Sequence, residues 1–179
     1  MVTIREITQA DIPLLLDYWF TAEHEFLAGM GVDVTRLPDR ADFGKLLEGQ
    51  ILTPYPEKRA YALIWLLEGQ PVGHSNLNPI VFGEHAWMHL HMWKAADREK
   101  GLGEQFIRLC LPEYFSHFNL REIYCEPYAL NPAPHKVVEK VGFTFEKEYT
   151  TVPGSINFEQ PVKRWVLTRA HFDQLSENK

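Results

Sequence analysis

The stretch that most restricts this chain is Arg98-Glu99-Lys100-Gly101-Leu102-Gly103. It stands between a segment of strand character and a helical pattern in which Leu102, Phe106, Leu109, Cys110 and Leu111 recur at helical spacing. Glycines at a helix entrance let a ligand approach the main chain, the first-turn N–H groups lack partners within the helix, and the helix dipole adds partial positive charge. Such a turn is an anion seat, and Arg98 and Lys100 add side-chain charge suited to a pyrophosphate. Two common phosphate motifs do not account for it. A P-loop needs G-x-x-x-x-G-K-S/T and a dinucleotide fold needs G-x-G-x-x-G after its first strand, and neither string is present.

The elements on either side predict a sheet with helices packed on it. A strand over 2–7 leads to Thr8 and Asp11, a hydroxyl and a carboxylate spaced to open a helix. That helix is expected to run from about 10 towards 28, with Ile12, Leu15, Leu16, Trp19 and Phe20 on its buried stripe. Glycines and Pro38 break it over 29–40, and Asp39 caps a second helix over 40–50. Strands follow over 60–67, from 71 after a Glu68-Gly69-Gln70 turn, and over 85–93. The helix headed by Gly101 is expected to end before His117. A strand over 122–126, a helix over 134–141 stopped by Gly142, strands over 143–151 and 162–168 and a terminal helix complete the order. This is a mixed α/β (α+β) pattern, and residues 1–179 read as one domain without repeats.

Composition narrows the function. Hydrophobic residues make up 45% of the chain, enough for a core, but an apolar run such as 61–67 is far below the roughly 20 residues of a membrane span. The charged N-terminal stretch does not read as an export signal, so a cytoplasmic setting is expected. Cys110 and Cys125 are the only cysteines and lie in apolar segments, which predicts two reduced thiols. With 24 acidic against 18 basic residues and no basic block, nucleic acid is not an expected partner.

A second segment gives the glycine turn a context. R-x-x-G-x-G at a helix head resembles the acetyl-CoA pyrophosphate motif of the GNAT superfamily of N-acetyltransferases. Asn131-Pro132-Ala133-Pro134-His135-Lys136-Val137-Val138-Glu139-Lys140-Val141-Gly142-Phe143 resembles the N-x-x-S-x-x-V-x-E-K-x-G-F helix of its ribosomal-protein-acetylating (RimJ/RimL-like) branch, matching at Asn131, Val137, Glu139, Lys140, Gly142 and Phe143. The resemblance implies a mostly antiparallel twisted sheet of six to seven strands, splayed at a central bulge, with helices on both faces. It implies acetyl-CoA as cofactor, its pantetheine arm beside His91, Met92 and Trp93. The main chain of 98–103 (Arg98, Glu99, Lys100, Gly101, Leu102, Gly103) would hold the pyrophosphate, and Asn131 would lie near the thioester. The implied reaction is direct attack by a primary amine, with an N–H near Trp93 meeting the oxyanion and no metal required.

The chain also departs from that family. Val138 stands where many members carry a tyrosine acid, Pro134 where the ribosomal branch carries serine, and Met88 near the usual strand glutamate. His135 is therefore a candidate acid for the leaving thiol. His85, Trp87, His89, His91 and Trp93 alternate onto one strand face, so His89 and His91 are candidate bases, with Glu126 a further one. Phe20, His24, Glu25, Phe26 and Tyr128 are candidate contacts for a small-molecule or peptide amine, bound by a monomer or homodimer. A catalytically silent acyl-CoA-binding module, and a metal site built from His89, His91, His85 and His74, are the competing readings.

Overall fold

The computed structural model describes residues 1–98 and 101–177. Among them, strands β1 (Val2–Glu6), β2 (Tyr61–Leu67), β3 (Gln70–Val81), β4 (His85–Met92), β5 (Glu122–Cys125), β6 (Thr144–Thr151) and β7 (Gln160–Thr168) form one sheet in the order β1-β2-β3-β4-β5-β7-β6. All neighbouring pairs are antiparallel except β4 with β5, which is parallel. The helices are α1 (Ile12–Thr21), α2 (His24–Gly29), α3 (Arg40–Leu52), α4 (Leu102–Phe118), α5 (Pro132–Lys140) and α6 (Arg169–Glu177). The expected fold class is the observed one.

Alternation along β2 sorts the helices between the faces. Leu63 and Trp65 point into a core shared with Phe106, Ile107, Cys110 and Tyr114 of α4, and Trp65 stacks on Phe106 at 4.9 Å. Ile64 points the other way, against Leu15 of α1 and Leu47 of α3. The α5 and α6 helices join the α4 side through Val138 and Phe172. Cys110 and Cys125 are free and buried, as expected, and burial pushes both thiols up to about 12. No helix of the described residues is long and apolar enough to cross a membrane.

Local chemistry explains where the elements start and stop. Asp11 does cap a first turn: its carboxylate accepts the Thr8 N–H and hydroxyl, both at 2.8 Å, and takes Arg5 through both oxygens. The single helix expected towards residue 28 is instead two, because Ala22 and Glu23 are extended. That break turns Leu27 into a cluster with Tyr18, Trp19 and Val32. The α4 helix runs past His117 because Phe115 and Phe118 are wholly buried, and left-handed Asn119 ends it. The α5 helix starts two residues before expectation, at Pro132, where a ring-fixed φ suits the first helical position. Asp39 caps α3 by accepting from the Ala41 N–H.

Candidate active site

The parallel pairing of β4 with β5 covers only His85 to Trp87 against Glu122 to Tyr124. Beyond it the strands part. After Cys125 the chain keeps to β7, with Ala129 N–H donating to Pro161 O and Lys163 N–H to Pro127 O. Meanwhile β4 stays on β3 as far as Met92. The β5-facing edge of 88–92 is left without a strand, which opens a wedge. Trp93 N–H donates to Val72 O at 3.0 Å, so the main chain there faces β3. Alternation then turns the peptide groups of Leu90 and Met92 into the wedge.

The register shift of the β3–β4 pair lies on β3, where the three steps from Leu77 to Ile80 oppose the two from Met88 to Ala86. The expected oxyanion donor is an N–H near Trp93. The Trp93 N–H itself goes to Val72 O, and alternation leaves those of Leu90 and Met92 facing the wedge.

Past the end of β4, Gly101 caps α4 in the left-handed region, φ +71°, with open space where a side chain would stand. It has no side chain to satisfy the first-turn N–H groups of α4, which therefore remain available to an anion. Gly103 serves packing as well, because a Cβ there would lie 3.3 Å from Val137 on α5. Leu102 packs on the main core. Arg98 differs from expectation: its guanidinium turns back to the Met92 carbonyl and lies over the Phe26 ring rather than towards the turn. Glu99 and Lys100 lie outside the described residues. Asn131 caps α5 by position, its side chain making no capping bond. An open strand edge, free helix N–H groups and an uncommitted amide together fit a long ligand with an amide-bearing arm and an anionic end.

The histidines separate into two kinds. His74, at 3% exposure, accepts the Trp93 indole N–H at 2.8 Å and stacks on His91 at 4.6 Å. His91 has its Nδ1 3.1 Å from the Tyr18 hydroxyl. Burial holds His74 at about 3 and His91 well below its ordinary value, so both stay neutral. His89 is exposed, yet protein surrounds it closely enough that desolvation lowers its pKa. Its Nε2 lies 2.9 Å from the Asn78 carbonyl on the bulged part of β3. A carbonyl only accepts, so Nε2 carries the proton and neutral His89 keeps a lone pair on Nδ1. Among the described residues no group of three or more His, Cys, Asp or Glu is arranged to hold a metal.

His135 and Glu126 are both engaged. The Trp165 indole donates to His135 Nδ1 at 3.0 Å, so Nε2–H donates to the Tyr128 carbonyl at 3.1 Å and neither nitrogen is left for acid chemistry. The Glu126 side chain is 8% exposed and held by Arg164 and the Tyr149 hydroxyl. Its charge raises the pKa of His89 against the larger effect of burial. Val138 and Met88 are core residues.

Of the residues expected to contact an acceptor, Phe20 packs on Phe43 at 6.1 Å, under Arg40. His24 and Glu25 are exposed on α2, whereas Phe26 is half-buried beside Tyr18. Tyr128 meets Phe158 edge-on at 5.7 Å. A connection absent from the sequence reading joins the loop after α2 to the one before β7. The carbonyl of Gly31 accepts from Gln160 Nε2 at 2.7 Å and Asn157 Nδ2 at 2.8 Å, and Asp33 N–H donates to Ile156 O. Gln160 is 1% exposed. Its polarity gives no local hint of burial.

A family model described as an acetyltransferase (GNAT) domain matches residues 1–144. No curated protein matches the chain. Similar solved structures include the spermidine N-acetyltransferase of Vibrio cholerae with CoA and spermine (16% identity, 96% of this chain, 97% of that one, TM-score 0.76). The ribosomal L7/L12 α-N-protein acetyltransferase RimL with coenzyme A is similar at 14% identity over 93% of each chain, TM-score 0.75. The aminoglycoside acetyltransferase AAC(6')-Ib with coenzyme A and kanamycin is similar at 20% identity, 98% and 99% coverage and TM-score 0.75.

Proposed function

Because the chain belongs to the family of GNAT acetyltransferase domains, we propose that its acetyl-CoA lies in the wedge between β4 and β5 and that His89 is the base that prepares the amine. The enzyme is an acetyl-CoA-dependent N-acetyltransferase. The observation that carries the site is the strandless edge of 88–92 leading to the uncapped N-terminus of α4. The first-turn amides of α4 hold the pyrophosphate, and the peptide groups of Leu90 and Met92 pair with the arm. Asn131 lies towards the thioester. Bound acetyl-CoA supplies an activated acetyl group, and the protein supplies proximity and a proton route.

An alkylamine has a pKa of about 10.4 and reaches the site as an ammonium ion. Neutral His89, fixed by its Nε2–H on the Asn78 carbonyl, takes the proton on Nδ1. Glu126, balanced by Arg164, tempers the burial of the imidazolium that forms. In this reading His91 and His135 hold structure. Leu90 or Met92 N–H meets the charge that develops on the acyl oxygen.

The acceptor is a small-molecule or peptide amine. Proteins of similar fold are described as acetylating spermidine, aminoglycosides and a ribosomal protein. The Asn131 to Phe143 segment favours the ribosomal-protein branch among these, and the two free thiols suit a reducing cytoplasm. Calorimetric titration tests the seat: coenzyme A should bind saturably and ATP should not. A panel of polyamines, aminoglycosides and peptide N-termini then tests turnover, and binding without transfer to any of them sinks the catalytic reading. His89→Gln should lower kcat/KM by about 100-fold. It should also remove an acid limb that lies below pH 6.5 in the wild type, because burial lowers the His89 pKa.

A further inference from the structure

The guanidinium of Arg98 stands where three parts of the molecule meet. Its Nε and Nη2 donate to the Met92 carbonyl at 3.3 and 3.1 Å, at the open end of β4. Its central carbon lies 3.9 Å from the centroid of the Phe26 ring on α2. Its own main chain leads into the glycine turn. Phe26 meets the Tyr18 ring edge-on at 6.3 Å, and the Tyr18 hydroxyl reaches His91 on β4. A planar cation that is hydrogen-bonded in its plane and stacked through its face is a directional contact that an ammonium does not reproduce.

The α2 helix needs such contacts. Six residues are too few for a helix to persist alone, so its placement is set by what its side chains touch. Its two ends are tied differently. The loop after it is fastened to the far side of the cleft through Gly31 and Asp33. Its first turns depend on Leu27 in the α1 cluster and on Phe26 beneath Arg98.

We infer that Arg98 is a positioning residue that couples occupancy of the pyrophosphate turn to the placement of α2, so that the acceptor wall is set when the cofactor is seated. An anion on the first-turn amides of α4 fixes the turn and with it the Arg98 main chain. The guanidinium then keeps both of its partners, and Phe26 is held against the strand end. Linkage requires the reverse as well: a docked α2 strengthens cofactor binding by the same factor. The inference rests on the reading that this turn seats coenzyme A, and its test separates the two.

Amide hydrogen exchange with and without coenzyme A reads both ends of the coupling. In the wild type, coenzyme A should slow exchange over 101–107 and, by about tenfold, over 24–29. At saturating coenzyme A, Arg98→Ala should keep the first effect and lose the second, its affinity falling by the coupling factor. Phe26→Leu should do the same by removing the other partner, and it decides the matter if Arg98→Ala folds poorly. Arg98→Lys, which can still donate to Met92 but cannot stack as a plane, should fall between. The amide of Asp33, bonded to Ile156, should be unaffected throughout. Protection of 24–29 that persists in both Arg98→Ala and Phe26→Leu overturns the coupling. Absence of protection over 101–107 in the wild type overturns the cofactor seat and the coupling with it.

Discussion

The two walls of the cleft are made of different material. The proposed cofactor wall is main chain: the β4 edge beyond Trp87, the left-handed Gly101 and the uncapped amides of α4. The proposed acceptor wall is side chains reaching between distant loops, with Gln160 and Asn157 clasping Gly31 and Arg98 covering Phe26. A main-chain site demands particular residues at particular spacings, since glycine takes the left-handed turn at least cost and the turn must sit between a strand and a helix start. A clasp demands only a donor somewhere and a carbonyl somewhere else. The first leaves a local trace in the sequence and the second does not.

If the cofactor wall is main chain with an open anion seat, a charge placed there should have the largest effect. Gly101→Glu sets a carboxylate in the open space before the α4 amides and adds the strain of a left-handed side chain. Coenzyme A affinity should fall at least about 100-fold, measured calorimetrically on protein shown to be folded. Gly101→Ala carries the strain of about 1 kcal/mol without the charge and should lose far less affinity. Equal losses in the two variants would mean that the turn needs only its shape and that no anion sits there.

Legibility followed the same division. The hydroxyl and carboxylate at Thr8 and Asp11, the Asp39 cap, the stop at Gly142 and the helix start at Gly101 all act within a few residues, and each is legible at its place. The α1–α2 break was missed because Ala22 and Glu23 are ordinary helix formers, extended here because Leu27 is drawn into the cluster around Tyr18 and Trp19. Strand alternation grouped the histidines correctly, but what distinguishes His89 from His91 is a carbonyl on β3 and a tyrosine on α1. His135 drew attention by standing beside the missing serine, whereas Trp165, thirty residues on, commits its Nδ1.

The acceptor wall is tested by releasing its clasp. Gln160→Ala removes donors from the carbonyls of Gly31 and Phe158, and only Gly31 keeps a replacement, Asn157. Loss of these buried bonds should cost about 2 kcal/mol in urea unfolding. Coenzyme A affinity should change less than about twofold, since no main-chain element of the seat is touched. Gly31→Ala should destabilise from the other side, as its Cβ would collide with the Gln160 amide at a φ of +86°. A large fall in coenzyme A affinity with Gln160→Ala would show that the clasp on Gly31, and not Arg98 alone, ties the acceptor wall to the seat.

The smallest expected effect concerns the seam that both walls share, where His74 of β3 lies under His91 and Trp93. Above pH 6.5 a histidine is neutral in the folded and unfolded chain alike and contributes no pH dependence. As pH falls through 6.5 the unfolded chain takes up a proton that folded His74 refuses until about pH 3, so stability declines over that window. At pH 5.5 the loss attributable to His74 should be about 1.4 kcal/mol. His91, lowered by the same burial, adds loss of the same sign. Urea midpoints at pH 7.5 and 5.5 measure the total, and His74→Gln, whose amide oxygen can still accept from Trp93, should shrink it by the His74 share. A wild type as stable at pH 5.5 as at 7.5 would mean that the imidazoles accept protons where they sit. The seam would then be wet, and the acceptor wall would have no dry floor to stand on.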